Sequence, residues 1–201
     1  MADSEKPLRL FAAIMLPPGI KEKISSLNEE FLRADAAFKP VKPENLHITL
    51  KFIGLAEGNK IKDIKNIMEK TAAETEPFRL HFRGVGAFPA AGAPLLLWAG
   101  AEDENGGLSA LALKLENRFS VIGVKKERKP FHPHITTARL KKKIKNKNSR
   151  TPAKHYLAKN RGADFGSMEV KRVSLIQSTL TGEGAFYSEV SGYDIKKPLP
   201  E

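Results

Sequence analysis

Over residues 8–16, "LRLFAAIML", the residues Leu8, Leu10, Ala12, Ile14 and Leu16 fall on one face at period two. That pattern predicts a strand, and Pro17-Pro18 ends it. The period then lengthens: Ile20, Ile24, Leu27 and Phe31 lie at helical spacing and predict a helix over 19–34. The proline-punctuated "KPVKPENLHITLKFIG" leads into a second strand ending at Gly54, and Ile61, Ile64, Met68 and Ala72 predict a helix over 60–75. "FRLHFRGVGAF" and "APLLLWAG" read as two strands around a Pro/Gly/Ala turn. Leu108, Leu111, Leu115 and Phe119 give a third helix over 106–122, stopped at Gly123. A strand through "FHPHITTARL" follows, then a basic segment in which Thr151-Pro152 suits a helix start. One long strand over 169–181 and a last strand "AFYSEVSGYDI" complete the chain. The order of elements predicts an α+β fold of two similar halves with no low-complexity linker between them.

Composition adds limits. The chain has 201 residues, 41% of them hydrophobic and 28% charged, which suits one soluble globular domain spanning 1–201. With no cysteine, disulfides and cysteine-based zinc or redox sites are excluded, in keeping with a reducing compartment. No apolar run nears the ~18–20 residues of a membrane span. The acidic start "MADSEKPLRLFAAIMLPPGI" reads as a first strand instead of a signal peptide. A cytoplasmic monomer without a membrane partner is the expectation. The net charge of +11 is local: residues 141–161 hold nine Lys or Arg and no acid, and without them the balance is 11 − 9 = +2. Such a run is either a solvated loop or a salt-dependent nucleic-acid contact. In the second case, neutralising its lysines would weaken binding of a long nucleic acid.

The candidate chemistry lies in one tripeptide written twice. His47-Ile48-Thr49 and His134-Ile135-Thr136 stand 134 − 47 = 87 residues apart, each inside a strand-like run. Side chains alternate across a strand. Strict alternation puts Leu46, Ile48, Leu50 and Phe52 on a core face and His47, Thr49 and Lys51 on the opposite one; His134 and Thr136 likewise share a face. Each copy then offers one imidazole and one hydroxyl to a cleft. Two such pairs facing each other could serve a phosphodiester. One neutral histidine acts as base, one protonated histidine acts as acid, and the hydroxyls hold non-bridging oxygens. A blander reading makes each histidine a packed or surface residue, and His81 and His155 receive it. A metal reading has His132, His134 and His47 as ligands, but only Glu44 is an acid near either motif, and ligating histidines usually have a carboxylate behind them.

In these residues the chain resembles the 2H phosphoesterase superfamily and, more closely, the RNA 2′,3′-cyclic phosphodiesterases, also called 2′-5′ RNA ligases. The resemblance runs through "LRLFAAIMLP", "VKPENLHITLKFIG", "FRLHFRGVGAFP", "LLLWAG", "FHPHITTARL" and "MEVKRVSLIQSTLTGEGAFYSEV". It implies two lobes related by a pseudo-twofold axis, each an antiparallel sheet flanked by helices, with the active-site cleft between them. It implies metal-independent hydrolysis of RNA 2′,3′-cyclic phosphate ends to 2′-phosphate, with no cofactor, and 2′-5′ joining of tRNA halves in some members. Carried over, His47 is the proton donor and His134 the proton acceptor, although the two motifs are too alike locally to fix that direction. Thr49, Thr136 and Arg139 bind the phosphate. Alternation puts Arg139 opposite His134, so its role requires a bulge or a bend after the strand. Phe11 and Phe52 are candidates for a nucleobase contact or for core packing. Thr137 stands where the family often has Leu, and Gly184-Ala185-Phe186-Tyr187 lacks a proline that the family carries. Two other readings stand beside this one: a non-catalytic binder of RNA ends, and a cyclic phosphodiesterase acting on a small nucleotide such as ADP-ribose cyclic phosphate.

Overall fold

The computed structural model describes residues 6–34, 36–91, 94–141, 151–182 and 184–195. In chain order the elements are β1 (Leu8–Met15), α1 (Pro18–Ala34), β2 (Phe38–Pro40), β3 (His47–Ala56), α2 (Gly58–Ala73), β4 (Phe78–Phe88) and β5 (Leu96–Glu102). They continue with α3 (Gly107–Val121), β6 (His134–Leu140), α4 (Thr151–Lys159), β7 (Asp164–Val170), β8 (Arg172–Thr181) and β9 (Gly184–Asp194). The fold is α+β, as expected.

The nine strands pair in the order β7-β4-β5-β6-β3-β1-β8-β9, with β2 against β6. Between most neighbours the ladder is long. Between β6 and β3 it is one antiparallel pair, Ile48 with Ile135. That seam divides the sheet into a half holding β3, β1, β8 and β9 and a half holding β7, β4, β5 and β6. The halves are not successive stretches of chain. After α2 the chain crosses to lay β4 beside β5, and after β7 it returns to lay β8 beside β1. The half holding β1, β3, β8 and β9 is therefore assembled from both ends of the sequence, and β4 to β7 come from the stretch between them.

The helices follow the apolar periods. Ile20, Ile24 and Phe31 of α1, Ile64, Met68 and Ala72 of α2, and Leu108, Leu111, Leu115 and Phe119 of α3 are all buried. One large core joins α2 and α3 to Leu10, Ala12, Ile14, Ile48, Ile135 and Leu175. A second sits between α1, α4 and β5, with Phe31, Phe38, Leu97 and Tyr156. Ala153, Tyr156 and Leu157 of the basic segment thus belong to a packed helix; residues 142–150 of that segment lie outside the described residues.

Three expectations are corrected. The long strand over 169–181 is two strands, β7 and β8, broken at Lys171. The three-residue β2, bounded by Pro40, is too short for any period to reveal. The faces of β3 also change: Lys51 is buried and Phe52 is 58% exposed, the reverse of strict alternation. The β1–β3 register slips between Ala12 and Ala13, where Ala12 faces Lys51 but Ala13 faces Thr49. Leu50 is the extra residue of this bulge, so Leu50 and Lys51 both stay on the core side. Lys51 Nζ there lies 2.7 Å from Glu116 Oε2 of α3 and donates to the Lys125 carbonyl at 2.6 Å. Glu116 Oε1 accepts from the Glu127 amide at 2.7 Å, so one carboxylate ties β3 and α3 to the loop that leads into β6.

Candidate active site

The Ile48–Ile135 pair sets the site. Its antiparallel register turns both isoleucines into the core, where each is fully buried. The flanking residues emerge together on the concave face, with His47 across from Thr136 and Thr49 across from His134. The seam between the half-sheets passes through that pair.

The two imidazoles are held alike. His47 Nδ1 is 2.6 Å from the Asn45 carbonyl, and His134 Nδ1 is 2.7 Å from the His132 carbonyl. A carbonyl only accepts, so each Nδ1 carries hydrogen and donates, which leaves Nε2 as the working nitrogen. His47 Nε2 faces Thr49 Oγ1 at 3.0 Å. Burial, reinforced by the charges of Arg139, His134 and Lys21, pushes the His47 pKa down to about 4, against the opposing pull of the Asn45 carbonyl. Burial also lowers His134, against the opposing pull of the His132 carbonyl, with the charges of the His132 ring and Arg139 adding to the lowering. Both rings are thus neutral at pH 7.

A bulge brings in Arg139. In the β5–β6 ladder Leu97 faces Ala138 while Trp98 faces Thr136, so Thr137 is the extra residue. Thr137 and Ala138 are both buried, and Arg139 returns to the face of Thr136. The Thr137 carbonyl at the bulge accepts from Asn28 Nδ2 at 3.0 Å and from the Val41 amide at 2.9 Å. The β3 bulge does the same for Phe52. Arg139 and Phe52 therefore occupy equivalent places, each five residues after its histidine, one cationic and one aromatic.

Aromatic rings enclose the histidines. Phe11 is buried beneath His47 with ring centroids 5.0 Å apart, and Tyr187 meets His47 edge-on at 5.3 Å. Phe52 lies 6.2 Å from Phe11 and is open to solvent. Phe88 stands 5.1 Å from His134, while His132 lies 5.1 Å from Trp98. The structure thus brings together His47, His134, Thr49, Thr136, Phe11 and Phe52, with Arg139 close enough for its charge to act on both imidazoles. The sequence reading missed Asn28, Phe88, Trp98 and the supporting part of Tyr187. Alternation in "LLLWAG" from a buried Leu97 could have put Trp98 in the cleft; nothing local marked Asn28. Among the described residues no group of three His, Cys, Asp or Glu is placed to hold a metal ion. His81 sits apart, 3.0 Å from Asp164 Oδ2, and His155 is exposed on α4.

A family model described as LigT like phosphoesterase matches residues 14–98 and 100–187, one stretch for each His-x-Thr motif. The RNA 2′,3′-cyclic phosphodiesterase of Methanocaldococcus jannaschii is 35% identical over 183 residues, covering 91% of this chain and 98% of its own. Two solved structures share the fold. TT0787 of Thermus thermophilus has a TM-score of 0.79 at 28% identity, and Escherichia coli LigT complexed with 3′-AMP has 0.77 at 25%. Each match covers 96% of this chain and 100% of the other. No described helix is long and apolar enough to cross a membrane.

Proposed function

This chain belongs to the LigT-like phosphoesterase family, and from that we propose that it hydrolyses RNA 2′,3′-cyclic phosphate ends to 2′-phosphates by two-histidine acid–base catalysis. The observation that carries the reading is the Ile48–Ile135 register, which sets two Nδ1-anchored imidazoles on one face, either side of the seam. Relatives named as RNA 2′,3′-cyclic phosphodiesterases support the substrate class. Both half-sites come from one chain, so the monomer is the working unit. A cytoplasmic location is part of the same proposal.

The phosphorus sits over the isoleucine pair with a threonine hydroxyl on either side. His134 Nε2 takes a proton from water as the water oxygen bonds to phosphorus. The bond from phosphorus to the 3′ oxygen breaks, and His47 Nε2–H protonates that oxygen. The product is a 2′-phosphomonoester with a free 3′-hydroxyl. The asymmetry five residues after each histidine supports this direction. The open ring of Phe52, beside Tyr187, gathers the nucleoside, and with it the leaving ribose oxygen, on the His47 side, while buried Phe11 packs beneath His47 instead of meeting a base. Arg139 draws the phosphate from the other strand. The incoming anion also raises the His47 pKa and so loads the acid. None of these steps uses a metal.

The test is an oligoribonucleotide ending in a 2′,3′-cyclic phosphate, incubated with purified protein in EDTA. We expect a gain of one water and a 2′-phosphate terminus by mass spectrometry and regiospecific digestion. His47→Ala and His134→Ala should each lower turnover by about 10²–10⁴ while the protein stays folded. A 3′-phosphate product, activity lost to chelator, or full activity in either variant would sink the reading.

A further inference from the structure

The half-sheet that carries His47 continues well beyond it, and its concave face changes character. Strand pairing fixes which side chains share that face. Phe11 pairs with Phe52 on one side and Ile176 on the other, and Phe11 and Ile176 pack together under Tyr187. One step further out, Leu55 pairs with Arg9. Along β8, period two puts Ser178 and Leu180 on the side of Ile176, across from Tyr187 and Ala185.

Seven large apolar side chains are exposed among the described residues, and three of them lie on this face: Phe52 at 58%, Leu55 at 73% and Leu180 at 70%. Arg9 is exposed between β3 and β8. A solvated antiparallel face would be polar here. Two carboxylates fall on this face: Glu189 is bound by Arg172 and Ser174 at 2.7 Å each, and Asp194 faces the same Arg172 at 3.5 Å, so each has a partner of its own. Apolar groups around a planar guanidinium suit the π-faces of unpaired bases together with the phosphates that link them. From Thr49 to Leu55 the surface runs about 15–20 Å along β3, room for more than the reacting nucleotide. It is continuous with the ring set at His47.

We infer that this face is a platform for single-stranded RNA, on which the nucleotides 5′ of the reacting end stack along Phe52, Arg9, Leu55 and Leu180. The inference rests on the cyclic-phosphate reading and sharpens it: the substrate is an unpaired tail, in preference to a mononucleotide or a blunt duplex end.

The experiment compares wild type with the triple variant Arg9→Ala, Leu55→Ser, Leu180→Ser, whose changes are all at exposed positions outside the proposed catalytic groups. Wild type should turn over a cyclic-phosphate pentamer with a kcat/KM at least tenfold above that of a 2′,3′-cyclic mononucleotide. The variant should lose fivefold or more on the pentamer, mainly in KM, and stay within twofold on the mononucleotide. Equal kcat/KM for both substrates in wild type, or a variant that keeps the pentamer advantage, overturns the platform. A second arm needs no chemistry. Fluorescence anisotropy with a labelled pentamer ending in 3′-hydroxyl should show weaker binding by the variant, and weaker binding of a blunt duplex than of the single strand by wild type. If wild type turns over neither substrate, the phosphodiesterase reading fails alone and the anisotropy arm still decides the platform. Unchanged pentamer affinity, even where sedimentation shows that the substitutions abolish self-association, overturns it.

Discussion

Each proposed catalytic imidazole sits in a site that resists its protonation. His47 is the stronger case, with its pKa pushed down to about 4 chiefly by burial. An unfolded histidine titrates near 6.5. Below that value the unfolded chain binds a proton that the folded one refuses, so stability falls as pH drops from about 6.5 to about 4 and levels off beneath. The full effect is at most about 3 kcal/mol. His134 shifts in the same direction and shares the slope. We expect His47→Asn to flatten the pH dependence of urea unfolding between pH 6.5 and 4; an unchanged slope would show that burial does not hold this ring neutral. Titration by NMR should place the His47 midpoint near 4 in the free protein and higher once inorganic phosphate is bound. At this scale the sequence was most informative. The paired His-x-Thr motifs named His47, Thr49, His134 and Thr136, and alternation required a bulge or a bend to bring Arg139 to their face; the structure has the bulge. The rings around them were not, because Tyr187, Phe88 and Trp98 reach the cleft from strands distant in the chain.

At the scale of elements, two bulges at matching places do what straight strands could not. Strict alternation put Lys51 in the cleft and Phe52 in the core; one extra residue in β3 reversed both. Helix and strand positions were otherwise legible, since the buried faces of α1, α2 and α3 follow the 3.6 period. Bulges leave no trace in a hydrophobic pattern, because the extra residue is itself apolar or small. The β6 bulge has an identifiable support in Asn28, whose amide donates to the Thr137 carbonyl while its own Oδ1 is buried without a partner among the described residues. Asn28→Leu removes that unsatisfied acceptor and leaves Val41 bonded to the same carbonyl. We expect stability within about 1 kcal/mol of wild type and a several-fold rise in KM for the cyclic-phosphate oligonucleotide. In an Arg139→Ala background the KM effect should vanish. A KM rise that persists there would mean that Asn28 does not act through Arg139.

At the scale of the whole molecule, the α+β class and the two-lobed plan were readable from the order of elements. The placing of one half's strands between the two ends that form the other was not, because periodicity says nothing about which strand a helix returns to. The same nesting makes side chains that bridge lobes informative. Lys51 has no exposed side-chain surface and bonds Glu116, which is 20% exposed, as well as the Lys125 carbonyl. Lys51→Met leaves that carboxylate without its cation and frees the loop before His132. We expect a loss of about 2–4 kcal/mol in urea unfolding; a loss below about 0.5 kcal/mol would show that the tie does not hold the lobes. The placement of β8 beside β1 also bears on synthesis. A growing chain leaves the ribosome with β1 and β3 early, but the strands that complete their sheet are made roughly 120 residues after β3 ends. Until then Phe11 and Ala13 have no Ile176 to cover them, and the half-sheet of β1 and β3 cannot close. Folding on the ribosome must therefore wait for β8 and β9, so the early strands depend on helix packing, or on a chaperone, to escape premature association.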